Sequence, residues 1–170
     1  MLTDAAIEEH IPRLRRYARA LTGGRDAADD LVQDTLERAL GRSRLFRPGA
    51  NARPWLFAIM HNLFVNQVRS AAARKSVSLE NDGPEPVAHE SAHDGLLVRD
   101  IERALTLIPA EQREVVLLVG LEQMSYAEAA AVLEVPIGTV MSRLARGRER
   151  LRVLLNAGTR APAATLRRVK

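Results

Sequence analysis

The sequence contains no cysteine, which excludes disulfides, thiol redox sensing and cysteine-based zinc sites. Aromatic residues make up only 4% of the chain, and β-branched or aromatic runs of strand length are missing. No apolar run reaches the roughly 18 residues that a membrane-spanning helix needs. The opening segment MLTDAAIEEH is acidic and lacks the basic and apolar parts of a signal peptide. We therefore expect a cytoplasmic protein without membrane insertion.

The residues that are abundant favour helices. Ala, Leu and Arg lose little conformational freedom on entering a helix, and apolar residues make up 46% of the 170. That length suffices for one medium domain or two small ones. Lys and Arg number 25 against 21 Asp and Glu, so the net charge of +4 is modest and its placement matters more than its sum.

The hydrophobic pattern divides the chain into two helical parts. In the N-terminal part, Gly23 and Gly24 end the first helical pattern, Pro54 suits the first turn of the third, and segment 42–53 predicts a loop. Apolar spacings of three and four predict helices in this part over residues 4–22, 26–41 and 54–72. In the C-terminal part they predict helices near 97–107, 110–121, 126–133 and 137–155.

The segment between these parts, 73–96, has no sustained period, contains prolines and glycines, and is more acidic than basic. This composition predicts a flexible acidic linker. The fold is therefore predicted to be all-α, with two small helical domains, at 1–72 and 97–155, joined by this linker. A basic tail follows at 156–170.

The strongest local signal is SYAEAAAVLEVPIGTVMSRLARGRERLRVLL. Ser125 followed three residues later by Glu128 is typical of a capping box at a helix start, and Pro136 begins a second helix after a short turn. Five arginines against one acid between 136 and 152 make that second helix basic. A helix, a tight turn and a basic helix form a helix-turn-helix, whose second helix enters the major groove of DNA. The apolar residues predicted on one stripe of that helix are Ile137, Val140, Leu144 and Leu151.

A plainer interpretation competes with DNA reading, because an arginine run alone is equally typical of a solvated surface helix. The capping box, the turn and the uneven charge together favour DNA. Thr139, Ser142 and Arg146 would then face bases, and the later arginines would meet phosphates.

The segment GTVMSRLARGRERL, preceded by LIPAEQREVVLLVGLEQMSYAEAAAVL, resembles the C-terminal domain of extracytoplasmic-function (ECF) sigma factors of the sigma-70 family. DAADDLVQDTLERAL resembles that family's polymerase-binding helix, and RPWLFAIMHNLFVNQVRS resembles its helix for the −10 promoter element. The matches follow the family's order and spacing and cover roughly residues 5–155. FRPGANARPWLF and HNLFVNQVR resemble the general-stress branch.

The resemblance implies an alternative sigma factor that binds core RNA polymerase through the β′ coiled coil and the β flap. It implies promoter recognition, transcription initiation and regulation by an anti-sigma factor. The residues implied for polymerase binding are Asp29, Asp30, Gln33, Asp34 and Glu37. Those implied for the −10 element are His61, Asn62, Asn66 and Arg69. Those implied for the −35 element are Thr139, Met141, Ser142, Arg143, Arg146 and Arg148.

Each of these sets has an alternative interpretation from the residues alone. The acidic helix is equally typical of a solvated face with ordinary i,i+4 pairs. Asn62, implied to read a flipped base, is a residue type that also caps or bridges within proteins. Met141 stands where many family members have a basic residue, so apolar contact with a thymine methyl replaces the expected arginine contact.

The remaining candidate sites carry little chemistry. His89 and His93 are four apart, a spacing that binds metal on a helix, but they fall in the predicted linker, so we expect no metal site. Trp55 is predicted to anchor the core rather than to stack on DNA. No nucleophile–base set, phosphate-binding glycine loop or paired metal ligands appears, so we predict a protein that is not an enzyme and needs no cofactor.

Other functions remain as rivals. A sigma-like decoy would bind an anti-sigma factor but not DNA, and the arginine-rich helix argues against it. A dimeric helix-turn-helix repressor or activator would lack the polymerase-docking and −10-like segments. An enzyme acting on nucleic acid is a more distant alternative.

Overall fold

The helices of the N-terminal part pack as a bundle. The computed structural model describes residues 4–47, 49–77 and 95–158. Helix α2 packs against α3, and α3 packs against α4. The elements of this part are α1 (Asp4–Glu8), α2 (Ile11–Thr22), α3 (Arg25–Gly41), a 3-10 turn (Ser43–Leu45) and α4 (Ala52–Val77).

In the C-terminal part, α8 packs across α5, α6 and α7. Helix α6 runs into a π turn at Leu117–Leu121, where the N–H of Glu122 donates to the carbonyl oxygen of Leu117 at 3.0 Å. The regular elements within the described ranges are all helical, which confirms the predicted fold class. None of the described helices has the length and apolar character needed to cross a bilayer. The helices of this part are α5 (Gly95–Leu107), α6 (Ala110–Val116), α7 (Tyr126–Leu133) and α8 (Ile137–Gly158).

The first predicted helix is interrupted. Helix α1 ends at Glu8 and α2 begins at Ile11, with Pro12 in its first turn. A continuous helix would place the proline ring against the carbonyl of Glu8 and would lack one hydrogen bond, so the prediction of a single helix over 4–22 is wrong. Gly23 ends α2 as predicted, in the left-handed conformation at φ 74°, with its N–H donating to the carbonyl oxygen of Arg19 at 2.9 Å.

The third predicted helix, 54–72, is longer than expected at both ends. The side-chain oxygen of Asn51 accepts a hydrogen bond from the N–H of Arg53 at 3.0 Å, which caps the helix and lets it begin at Ala52. The alanine-rich segment that follows residue 70 favours helix and carries α4 to Val77, inside the predicted linker. Helix α5 likewise begins at Gly95 and α8 ends at Gly158. The rest of the predicted linker and tail, with His89 and His93, lies outside the described residues.

The buried apolar residues of both halves form one cluster. Helix α4 packs against α7, and α2 packs against α5. Tyr17 and Phe57 meet edge to face at the centre of the N-terminal bundle, with ring centroids 5.1 Å apart. In α3, Leu31 is buried, whereas Leu40 is half exposed at 48%. The two halves therefore share a continuous core.

Gly147 lies where α8 crosses α6 closely. A Cβ built there would stand 2.7 Å from Cγ2 of Val116 and 3.3 Å from the carbonyl oxygen of Gln112. Gly147→Ala is expected to lower the free energy of unfolding by about 1–3 kcal/mol, because the added methyl group forces the helices apart. Gly138→Ala, in open space on the same helix, is expected to raise it by about 0.5–1 kcal/mol. Urea unfolding followed by circular dichroism compares the two variants, and equal effects would contradict the close crossing.

Candidate nucleic-acid interface

The helix-turn-helix is built as the sequence predicts. Ser125 caps α7: its hydroxyl accepts from the N–H of Glu128 at 3.2 Å, and the Glu128 carboxylate accepts from the N–H of Ser125 at 2.8 Å. The Ser125 hydroxyl also donates to the Glu128 carboxylate at 2.9 Å. The pKa of Glu128 is lowered below 4.5, first by the hydrogen bond from the Ser125 N–H and then by the one from the Ser125 hydroxyl. The stabilisation they give is therefore present above pH 4.5 and is lost as the pH falls through the lowered pKa. Glu134 ends α7 in the left-handed conformation, at φ 53°.

The apolar stripe of α8 holds this helix against the rest of the C-terminal half. Val140 and Leu144 are buried and Leu151 is half-buried. Ile137 lies on the same stripe by its spacing but is 48% exposed, so the stripe is not covered in the first turn of α8.

The six predicted −35 residues divide into two groups. Met141, Arg146 and Arg148 are exposed on α8. The other three make contacts within the chain. Thr139 and Ser142 are half-buried, and Ser142 Oγ donates a hydrogen bond to the Thr139 carbonyl oxygen at 3.1 Å. Arg143 forms an ion pair with Glu111 of α6 at 2.7 Å.

The predicted −10 residues of α4 also divide. Asn62, Asn66 and Arg69 are exposed and lie on one face of the helix, at spacings of four and three. His61 is turned toward the C-terminal half, with its Nδ1 2.5 Å from Oε1 of Glu114. Trp55 is half-buried and meets Phe46 edge to face at 5.2 Å between ring centroids, which supports the predicted core role.

The predicted polymerase-binding residues all lie exposed on α3. Gln33 Nε2 donates to Oε1 of Glu37 at 3.0 Å, and Arg25 Nε lies 4.0 Å from a carboxylate oxygen of Asp29. Five exposed residues make up the set: Asp29, Asp30, Gln33, Asp34 and Glu37.

Beside this face, α2 and α3 enclose a groove of about 560 Å³ that sequence reasoning missed. Arg15 and Arg19, one turn apart on α2, line it together with the apolar residues Leu36 and Leu40 of α3. The four-residue spacing within each pair is the signal that could have found it.

Sequence reasoning also missed a row of charged contacts between the two halves, which we call the polar seam: Arg16, Arg53 and His61 against Glu114 and Glu122. Arg16 Nη2 donates to Oε1 of the fully buried Glu122 side chain at 2.9 Å. Arg53 donates to the backbone carbonyl of Glu122, and His61 meets the buried Glu114. The only sequence signal for the polar seam is that two carboxylates, Glu114 and Glu122, stand in the otherwise apolar run REVVLLVGLEQM.

Two family models match the chain, one in each half. Residues 7–61 match the Sigma2 domain of PhyR. Residues 99–151 match region 4 of sigma-70. The first match ends at His61, and the second contains the helix-turn-helix.

Full-length relatives are similar to the chain over both halves. The ECF RNA polymerase sigma factor EcfG of Rhodopseudomonas palustris is 39% identical over 162 residues, which cover 91% of this chain and 87% of that protein. The ECF RNA polymerase sigma factor SigE of Mycolicibacterium smegmatis is 35% identical, with 88% of this chain and 60% of that protein covered. A solved structure of the sigma factor RpoE in complex with the anti-sigma factor NepR, from Bartonella quintana, has a TM-score of 0.81 at 35% identity. It covers 91% of this chain and 98% of that one.

Proposed function

The chain belongs to the family of ECF RNA polymerase sigma factors, and we propose that its two halves divide promoter recognition between them. The N-terminal half docks on core polymerase and reads the −10 element, while the C-terminal half reads the −35 element. The observation that carries the proposal is α8: a basic helix that follows a capped α7 and leaves Met141, Arg146 and Arg148 exposed. The second helix of a helix-turn-helix is the one that enters the major groove.

For docking, we assign the exposed face of α3 together with the groove beside it. The carboxylates of Asp30 and Asp34 are free to meet cations of the polymerase β′ coiled coil. Leu36 and Leu40 give the groove an apolar floor, and an apolar floor with charged rims is the arrangement that receives an amphipathic helix. The β flap is assigned to the C-terminal half.

For the −10 element, we assign the face of α4 that carries Asn62, Asn66 and Arg69. Amide side chains can pair with the edges of bases that have left the stack, and an arginine beside them can hold the backbone. The row therefore suits an unpaired strand, whereas α8 suits a duplex.

Regulation by an anti-sigma factor is part of the proposal. The RpoE relative of similar length is solved in complex with the anti-sigma factor NepR. An inhibitor of that kind would cover the docking face of α3 and contact both halves. By the same likeness, we assign the protein to a stress response in the cytoplasm, where the polymerase works.

The chemistry of transcription belongs to the polymerase, so we propose no enzymatic activity for this chain.

The decoy interpretation predicts that α8 does not bind DNA. Among the described residues, however, the exposed arginines of α8 other than Arg152, which pairs with Glu149, have no ion-pair partner and are available to phosphates. In vitro transcription from a genomic library, with core polymerase and with or without this protein, tests the function. Transcription start sites that appear only when the protein is present support the proposed function. The absence of such start sites would support the decoy interpretation.

Asn62→Ala is expected to reduce open-complex formation by roughly tenfold, because a lost base contact is worth about 1–3 kcal/mol. Binding to a −35 duplex should be unchanged, since α8 is untouched. Permanganate footprinting measures the melted bases, and Asn156→Ala serves as a chemically matched control near the end of α8. Normal melting by Asn62→Ala would remove Asn62 from the −10 site.

A further inference from the structure

Arg143 differs from the other arginines of α8 in what surrounds it. Its side chain is only 25% exposed, and its Nη2 atom lies 2.7 Å from Oε2 of Glu111 on α6. Arg146, three residues later, is exposed. Arg152 also forms an ion pair, with Glu149, but both of these side chains are open to solvent, at 64% and 60%. The charge of Arg143 is therefore partly removed from water, whereas the charge of Arg152 is not.

The position of Arg143 on α8 is the edge of the face that would meet DNA. Successive residues of a helix turn by about 100°, so Arg143 lies about 60° from Val140 on one side and about 60° from Arg146 on the other. Val140 is fully buried and Arg146 is exposed. When a helix lies in the major groove, its exposed centre meets base edges and its flanks lie beside the two sugar-phosphate backbones. Arg143 therefore lies where a cation would meet a phosphate.

Glu111 occupies the place that such a phosphate would take. Its side chain is 57% exposed in the first turn of α6, and its carboxylate already accepts the N–H groups that Arg143 could offer to a phosphate. Ion pairs between fully solvated side chains are weak, but a pair with one partner three-quarters covered is screened less by water and salt. The negative charge of Glu111 also repels an approaching phosphate.

We propose that Glu111 holds Arg143 away from the DNA backbone and thereby limits the affinity of the C-terminal half for duplex DNA. This inference rests on the proposed reading of the −35 element by α8. A phosphate contact strengthens binding to every sequence alike. Withholding one leaves recognition to exposed residues such as Met141 and Arg146, and it weakens binding to the many non-promoter sites that compete for the protein.

Glu111→Gln is expected to raise the affinity of the protein for a −35 duplex roughly eightfold at about 0.1 M salt. The amide keeps the shape of the side chain but carries no charge, so Arg143 can turn to a phosphate. One added phosphate contact steepens the fall of log affinity with log salt by about 0.9, so the gain should shrink to about twofold at about 0.5 M salt. A scrambled duplex should gain by the same factor. Fluorescence anisotropy measures both, with the −35 duplex that the wild type selects from a randomised pool.

Arg143→Ala separates release of the arginine from simple loss of a negative charge. In the wild-type background it is expected to change duplex affinity by less than about twofold, because the inference keeps Arg143 off the DNA. In the Glu111→Gln background it should remove most of the gain. Glu102→Gln is the matched control, because it removes the same charge from an exposed position of the C-terminal half that has no ion-pair partner among the described residues. Circular dichroism verifies the fold of each variant.

Three results would overturn the proposal. An unchanged or lower affinity of Glu111→Gln would show that the acid does not withhold Arg143. Equal gains from Glu111→Gln with and without Arg143 would show that the acid acts through its own charge. A roughly tenfold loss in Arg143→Ala alone would show that Arg143 already contacts DNA. A wild type that selects no duplex would instead contradict the proposed −35 reading, which the three results above leave intact.

Discussion

The double variant Asp30→Arg/Gln33→Ala is expected to bind core RNA polymerase about 100-fold more weakly than the wild type, while its helices stay intact. Both side chains are exposed on α3, so their replacement removes no core packing. An arginine at position 30 would place a cation where the docking face offers carboxylates to a basic partner, and like charges across an interface cost several kcal/mol.

Glu102→Arg provides the matched control for this variant. Glu102 is also an exposed acid on a helix, but it lies on α5, in the C-terminal half. Co-purification with core polymerase measures binding, and circular dichroism verifies the fold. A folded double variant that still binds like the wild type would show that this face of α3 does not dock on polymerase.

Arg146→Ala is expected to change which −35 sequences the protein prefers, whereas Arg150→Ala is expected to change only overall affinity. Arg146 is exposed in the first half of α8, on the side opposite the buried Leu144, and the N-terminal part of a recognition helix is the part that reaches base edges in the major groove. Loss of a base contact costs roughly 1–3 kcal/mol and relaxes specificity at one position. Loss of a phosphate contact weakens all sequences alike and lowers the salt slope by about one unit.

A selection from randomised −35 duplexes at two salt concentrations separates these outcomes. Arg150→Ala is the matched control, since it removes the same charge from the same helix one turn later. If wild type and Arg146→Ala selected the same sequences, the readers would have to be sought among Met141, Ser142 and Thr139. The ion pair of Arg143 with Glu111 makes Arg143 the weakest of the predicted contacts.

The sequence predicts the local structure best where one residue type decides it. Ser125 and Glu128 form the expected capping box because their spacing suffices, and Gly23 ends α2 because a left-handed residue favours glycine. The break before Pro12 also depends on one residue type, because proline cannot lie inside a continuous helix without disturbing it. The apolar spacing across this segment nevertheless predicts one continuous helix. The end of α4 was missed because a helix-favouring segment carries no apolar period.

The contacts between the halves could not be predicted in this way. Arg16 and Glu122 are 106 residues apart, and each alone is typical of a solvated charge or a tolerated polar position. The orientation of His61 is a second example, since its neighbours Asn62 and Asn66 face solvent while it faces Glu114. Such contacts depend on how two separately patterned units meet, which one sequence does not encode in its local spacing.

The π turn at Leu117–Leu121 has a consequence for how the seam could arise or be lost in evolution. In a regular α-helix, residues eight apart point about 80° away from each other. The π turn takes up one extra residue, which reduces the angle between Glu114 and Glu122 to roughly 20° and turns both carboxylates to one side. Deleting a single residue there would leave the two glutamates seven apart in a regular helix, where they point about 20° apart as before. The π turn therefore absorbs a one-residue difference in helix length, and a relative can gain or lose that residue and keep the seam, whereas a change of one of its charged side chains removes a contact.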